Sequence, residues 1–115
     1  MTKNSFTIAE AYYIAMGKKD IEGLSKYLHA EVQFTAPLDK ITGKEAVLEA
    51  TKKFSSMFKT LTIRAKFGSQ DQAMIVYDLD FDVLVEMFSS SALMTIENGL
   101  ITKIELFYDA RPFVT

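Results

Sequence analysis

Residues 92–109 read ALMTIENGLITKIELFYD, and this pattern decides the fold. Asn98-Gly99 stands between two runs in which apolar and polar residues alternate, Ala92 to Glu97 and Leu100 to Asp109. A two-residue type I′ turn needs positive φ at both central positions, which Asn and Gly adopt with least strain, so the runs form a hairpin. Working backwards, Leu61 to Phe67 and Ala73 to about Val83 also alternate with period two, on either side of a turn at Gly68-Ser69-Gln70-Asp71. The reversal before Ala92 falls between residues 84 and 90, where no Gly, Pro or Asn marks it.

The first half of the chain has a different period. Thr7 followed by Glu10 fits a capping box and predicts a helix over about residues 7–16, with Ile8, Tyr12 and Ala15 on one stripe and Ala11 and Ile14 beside it. Gly17, Lys18 and Lys19 suit its C-terminus. Asp20 is an N-cap for a second helix over about 21–28 that packs Ile21, Leu24 and Leu28. Val32, Phe34 and Ala36 alternate with Gln33 and Thr35 as a strand ended by Pro37, and a loop follows from Leu38 to Thr42. Thr42-Gly43-Lys44-Glu45 is a second capping box, opening a helix to about Phe58 with Val47, Ala50, Thr51, Phe54 and Phe58 along one side. Helices first and strands last predict a single α+β domain over residues 1–115, its helices on one face of an antiparallel sheet.

Composition narrows the function. With 13 basic and 15 acidic residues the net charge is −2, so no phosphate-binding surface is expected and nucleic acid is a poor partner. The chain has no cysteine and one histidine, so disulfides and thiolate zinc sites are excluded, and neither metal nor cofactor is expected. His29 reads as an exposed loop residue. No stretch is long and apolar enough for a membrane span or a signal peptide, which predicts a cytoplasmic protein without a membrane partner. Nine Phe, five Tyr and six Met exceed what a minimal core of this size requires. A lined cavity or an apolar interface would use the excess.

Asp78, Asp80 and Asp82 project to one face of their strand and Ile75, Tyr77, Leu79 and Phe81 to the other. Burying three unpaired carboxylates costs far more than burying four apolar side chains gains, so the aspartates are expected to face solvent or a partner subunit. A bulge after Leu79 would turn one of them inward.

The chain resembles the nuclear transport factor 2-like superfamily, which includes SnoaL-like polyketide cyclases, ketosteroid isomerases and limonene epoxide hydrolases. The resemblance rests on Ala11-Tyr12-Tyr13, Lys19-Asp20-Ile21-Glu22-Gly23-Leu24, Phe34-Thr35-Ala36-Pro37, Ile41-Thr42-Gly43-Lys44-Glu45-Ala46-Val47, Asn98-Gly99-Leu100-Ile101-Thr102-Lys103-Ile104 and Phe107-Tyr108-Asp109. It implies a cone-shaped, cystatin-like α+β roll, with helices packed on a strongly curved antiparallel sheet around an apolar ligand site. It aligns Tyr12 with the isomerases' oxyanion donor but puts Ala36 where they carry the general base, and Ser91 or Ala92 where they carry a second donor. Against the epoxide hydrolases, Phe34, Ala36 and Leu106 occupy polar or acidic positions, and Asp78-Leu79-Asp80 replaces an Arg-x-Asp pair.

These readings predict a cone lined by Tyr12, Phe34, Phe54, Phe58, Tyr77, Leu79, Phe81, Met94, Leu106 and Tyr108, holding a hydrophobic small molecule of the ring type. Met57 joins the core or the rim. Tyr12 is either a donor to that ligand or a core tyrosine bonded to a neighbour. The rival reading is an enzyme of cyclase, isomerase or hydrolase type in which Asp80 or Asp109 acts with Tyr12, although strand parity favours a structural role for Asp109. The third reading is a non-catalytic interaction module with a filled core. Pairing in these families through the convex sheet face, and Met74, Val76, Leu93, Ile101 and Phe107 on that face here, predict a homodimer.

Overall fold

The computed structural model describes residues 5–81 and 88–111. Asp82 and residues 84–87 of the expected reversal lie outside them. The elements run α1 (Ser5–Gly17), α2 (Ile21–Ser25), β1 (Leu28–Ala36), β2 (Asp39–Thr42), α3 (Lys44–Ser55), β3 (Phe58–Gly68), β4 (Gln72–Phe81), β5 (Phe88–Glu97) and β6 (Leu100–Phe107). Among the described residues no helix is long and apolar enough to cross a membrane.

One sheet carries the strands in the order β2-β1-β6-β5-β4-β3. The segment expected as a loop after Pro37 is β2, which pairs antiparallel with β1 through Phe34–Ile41 and Ala36–Asp39. Its four residues are too few for a periodic signal, and the turn at Pro37-Leu38 is what brings them back onto β1. The sheet is mixed rather than wholly antiparallel, because β1 and β6 run parallel. The reason is topological. Helix α3 carries the chain back across the sheet, so β3 runs in the direction of β2, and three antiparallel reversals then leave β6 running like β1.

Irregularities in register curl the sheet. Lys59 and Arg64 are skipped between paired positions of β3 and β4, and Thr102 is skipped between the pairs Thr95–Lys103 and Ile96–Ile101. Each extra residue bends its strand and raises the local twist. The bulge at Thr102 also corrects an expectation. It switches the parity of β6, so that Ile101 is fully buried with Ile104 instead of standing on the outer face with Phe107.

Both expected capping boxes fail, for different reasons. Thr7 lies within α1, and Glu10 pairs instead with Lys66 on β3, Nζ to Oε2 2.7 Å. Thr42 is the last residue of β2, so Gly43 takes the N-cap of α3 at φ 99° with no side-chain bond. Asp20 does cap α2, accepting from Gly23 N at 2.9 Å. At the end of α1 the left-handed residue is Lys19, φ 59°, rather than Gly17. A non-glycine residue there costs roughly 1–2 kcal/mol. Lys19 offsets this by donating from Nζ to Phe58 O at 2.6 Å while lying over the Phe58 ring.

Strand β4 settles two members of the aspartate ladder, Asp78 and Asp80. Ala73, Ile75, Tyr77 and Leu79 are buried under the helices, while Met74, Val76, Asp78 and Asp80 alternate onto the outer face. Asp78 is held there by Ser89 Oγ at 2.7 Å and by Arg64 at 3.9 Å.

Candidate functional site: a hydroxyl-lined apolar cavity

Between α1, α3 and the inner faces of β1, β4, β5 and β6 lies a cavity of about 290 Å³. Of the ten residues expected to line it, Tyr12, Phe34, Phe54, Tyr77, Leu79, Leu106 and Tyr108 do so. Phe58, Phe81 and Met94 do not. Phe58 and Phe81 flank Phe54, with ring centroids 5.5 and 6.2 Å from it, and so support the wall from behind. Met94 is fully buried in the core. Leu38 and Met57, both exposed apolar side chains, lie at the mouth.

Several lining groups escaped the sequence reading. Tyr13, Thr51 and Ser90 are all buried and all reach the cavity. Helix α1 explains the first: Ile8, Ala9, Ala11, Tyr12, Tyr13, Ile14, Ala15 and Met16 leave it apolar on every side, so periodicity alone does not say how it is rotated. The sheet decides that, burying Ala9, Tyr12, Tyr13 and Met16 and leaving Ile14 at 45% exposure. Ser90 lies on the inner face of β5, whereas Ser91, one residue on, faces outward.

The hydroxyls form two groups. The Thr51 hydroxyl pairs with that of Tyr12, which gives Tyr12 the partner inside the protein that a core tyrosine needs. Tyr13 lies against Tyr77 with ring centroids 4.6 Å apart, their hydroxyls pair, and the Ser90 hydroxyl lies against that of Tyr77. No protein group completes a well-formed hydrogen bond to Ser90 Oγ among the described residues. Burial pushes the Tyr12, Tyr13 and Tyr77 phenols above their ordinary value, because a phenolate would lose its hydration there. All three are therefore neutral donors at physiological pH.

The acids considered with Tyr12 are not brought to it. Asp80 is on the outer face, and Asp109 is exposed beyond β6, where its carboxylate accepts from Arg111 Nε and N at 2.9 and 3.0 Å. Arg111 holds the Asp109 carboxyl down at about 2. Among the described residues the one carboxylate that lines the cavity is Asp39, at the start of β2. It is exposed, and its Oδ1 accepts from Lys40 N at 3.0 Å. Burial first, and then the Asp39 charge, raise the Tyr108 phenol. Ala36 and Leu106, aligned by the resemblance with acidic or polar positions, both line the cavity. Among the described residues no three of His, Cys, Asp and Glu gather where they could hold a metal ion.

Residues 9–104 match the family described as the SnoaL-like domain. No curated protein matches the chain by sequence. Among solved structures, a protein from Kribbella flavida DSM 17836 superposes with a TM-score of 0.91 at 23% identity, over 97% of this chain and 92% of its own. A protein from Pseudomonas putida KT2440 described as a candidate polyketide cyclase gives 0.84 at 16%, over 98% and 97%. Another from Kribbella flavida DSM 17836, described as a candidate ketosteroid isomerase, gives 0.77 at 16%, over 96% and 87%. At these identities the likeness is one of fold.

Proposed function

The chain belongs to the SnoaL-like domain family, and from that premise we propose that it binds a neutral, hydrophobic ring compound in the cone, as a cytoplasmic homodimer. One observation carries the binding reading: a cavity walled by Phe34, Phe54, Leu79, Phe88 and Leu106 and lined also by Tyr12, Tyr13, Tyr77 and Ser90, with Asp39 at its rim the one carboxylate among the described lining residues. Apolar walls with a few oriented polar groups are the usual make-up of a small-molecule site. At about 290 Å³ the space lies at the small end of such sites, which favours one or two fused rings over a full steroid skeleton. Ligand-observed NMR against a panel of one- to four-ring ketones, phenols and hydrocarbons tests it. Saturation transfer to the smaller rings, lost on Leu79→Trp, is expected. A panel with no binder sinks the reading.

A catalytic reading draws on Asp39, which the sequence reading passed over. It stands at the cavity rim three residues after Ala36 and acts electrostatically on Tyr108, so it is the carboxylate best placed to take a proton from a bound ligand. Exchange of deuterium into the α-position of a bound ketone, abolished by Asp39→Asn, would favour it over simple binding.

Pairing is supported by the outer face. Phe67, Met74 and Leu93 form one cross-strand row, and Ala65, Val76, Ser91 and Phe107 form the next. Phe67 and Phe107 are 61% and 52% exposed. A second copy of this face would cover both rows. Sedimentation of Phe107→Glu as a monomer, beside a dimeric parent, is the expected result, and a monomeric parent rejects the pairing.

A further inference from the structure

One charged side chain stands among the described lining residues, and its place in the sheet fixes what it selects; this step rests on the binding reading above. Across β1 and β2, Asp39 pairs with Ala36 and Ile41 with Phe34, and all four line the cavity. Lys40 and Thr42, which alternate with them along β2, do not line it. The Asp39 side chain therefore belongs to the inner face. Its neighbour on β1 is only the Ala36 methyl, too short to screen a carboxylate one strand away. Beyond Ala36, Leu106 follows the Thr35–Glu105 pair and also lines the cavity. Asp39 is exposed, as are Leu38 and Met57 at the mouth, and among the described residues no basic side chain pairs with it. Its Oδ1 accepts from Lys40 N at 3.0 Å, which leaves the carboxylate further capacity to accept.

The walls set the direction in which a ligand enters. Phe34, Phe54, Leu79, Phe88 and Leu106 cover ring carbons, so the apolar end goes in first and a polar substituent stays at the mouth, where less of its hydration is lost. An ionised carboxylate only accepts hydrogen bonds. Beside Asp39 an O–H or N–H gains a charge-assisted bond, whereas an ether or carbonyl oxygen gains none. A carboxylate there meets a like charge, and no Lys, Arg or His is among the described lining residues to offset it. We infer that Asp39 is the specificity-determining residue of the cone, holding the ring compound by an O–H or N–H donor on the end left at the mouth and turning away ligands with an acid there.

The test uses three probes of similar shape, 2-naphthol, 2-methylnaphthalene and 2-naphthoate, in fluorescence titrations at neutral pH. Asp39→Ala should weaken 2-naphthol about threefold to tenfold, because a bond to a charged acceptor is lost. The hydrocarbon should change by less than about twofold, since it never used the carboxylate. 2-Naphthoate should bind about twofold to fivefold more tightly once the like charge is gone. Opposite signs for the naphthol and the acid are a result that a general loosening of the cavity does not produce. Asp39→Asn keeps the shape and an acceptor oxygen without the charge, so it should reproduce the gain for 2-naphthoate with a smaller loss for 2-naphthol, and it carries the comparison if the alanine variant does not fold. A loss for 2-naphthol matched by the hydrocarbon, or 2-naphthoate bound no more tightly, overturns the role of Asp39, while binding of 2-methylnaphthalene to the wild type leaves the broader reading intact. Failure of all three probes to bind the wild type overturns the binding reading and the role of Asp39 with it.

Discussion

The two faces of β4 are built from the same ten residues and do opposite work. Inward, Ala73, Ile75, Tyr77 and Leu79 are at most 2% exposed and form the floor of the core and cavity. Outward, Met74, Val76, Asp78 and Asp80 are half-buried, and Asp78 draws its partners from neighbouring strands. The difference teaches that charge on this strand is a surface matter, whereas its inner side carries one polar group, the uncharged Tyr77 hydroxyl. Desolvation enforces the division, since a hydroxyl with one partner tolerates burial and an unpaired carboxylate does not.

The largest contrast is in stability. Ile75→Ala is expected to lower the unfolding free energy by about 2–5 kcal/mol, and Asp80→Ala to change it by no more than about 0.5 kcal/mol, in urea titrations. Comparable losses at both positions would erase the distinction between the faces.

The next contrast is in pH. The three buried phenols have folded values above the ordinary one near 10, so the stability they contribute is complete below pH 10 and is lost as pH rises through the raised values. The exposed Asp109 has the opposite sign. Its folded value of about 2 lies below the ordinary 3.8, so its contribution is present above 3.8 and disappears as pH falls towards 2. Urea midpoints should accordingly drop steeply on the alkaline side. A flat alkaline limb would mean that the phenols are not buried as described.

Smaller effects separate hydroxyls within the inner face. Tyr77→Phe removes a hydroxyl that pairs with those of Tyr13 and Ser90 and should cost about 1 kcal/mol, while Ser90→Ala removes a hydroxyl that completes no well-formed hydrogen bond among the described residues and should leave the free protein unchanged or slightly more stable. Thermal unfolding of the two variants checks the order. Smallest is the rim: Asp39→Asn takes away a negative charge that raises the Tyr108 phenol, so the ultraviolet titration of that phenol should move to lower pH.

Legibility followed the strength of the local signal. The Asn98-Gly99 turn, with Asn98 at φ 53° and Gly99 at φ 79°, is the one the dipeptide demands. The strand parity of β4 followed from alternation alone. Of the seven expected residues that line the cavity, Phe34, Tyr77, Leu79 and Leu106 follow from strand alternation, while Tyr12 and Phe54 come from the helices. What went unseen lacked a local signature. Strand β2 is only four residues long, the bulge at Thr102 carries no Gly or Pro to mark it, and Tyr13 sits on a helix without a polar side. Ser90 was missed because the residue one position along was the one matched to related enzymes, and a slip of one residue on a strand exchanges inside for outside.

By itself the sequence determined the α+β class, the closing hairpin, the outward facing of Asp78 and Asp80 and the want of an acid at Ala36 and Leu106, because period-two alternation, turn chemistry and residue type are local properties. Only the tertiary structure decided the rotation of α1, the parallel pairing of β1 with β6, the place of Asp39 at the rim and the orphaned Ser90 hydroxyl. Each of these depends on which distant segments meet, and the chain encodes that in the sum of its packing rather than at any one position.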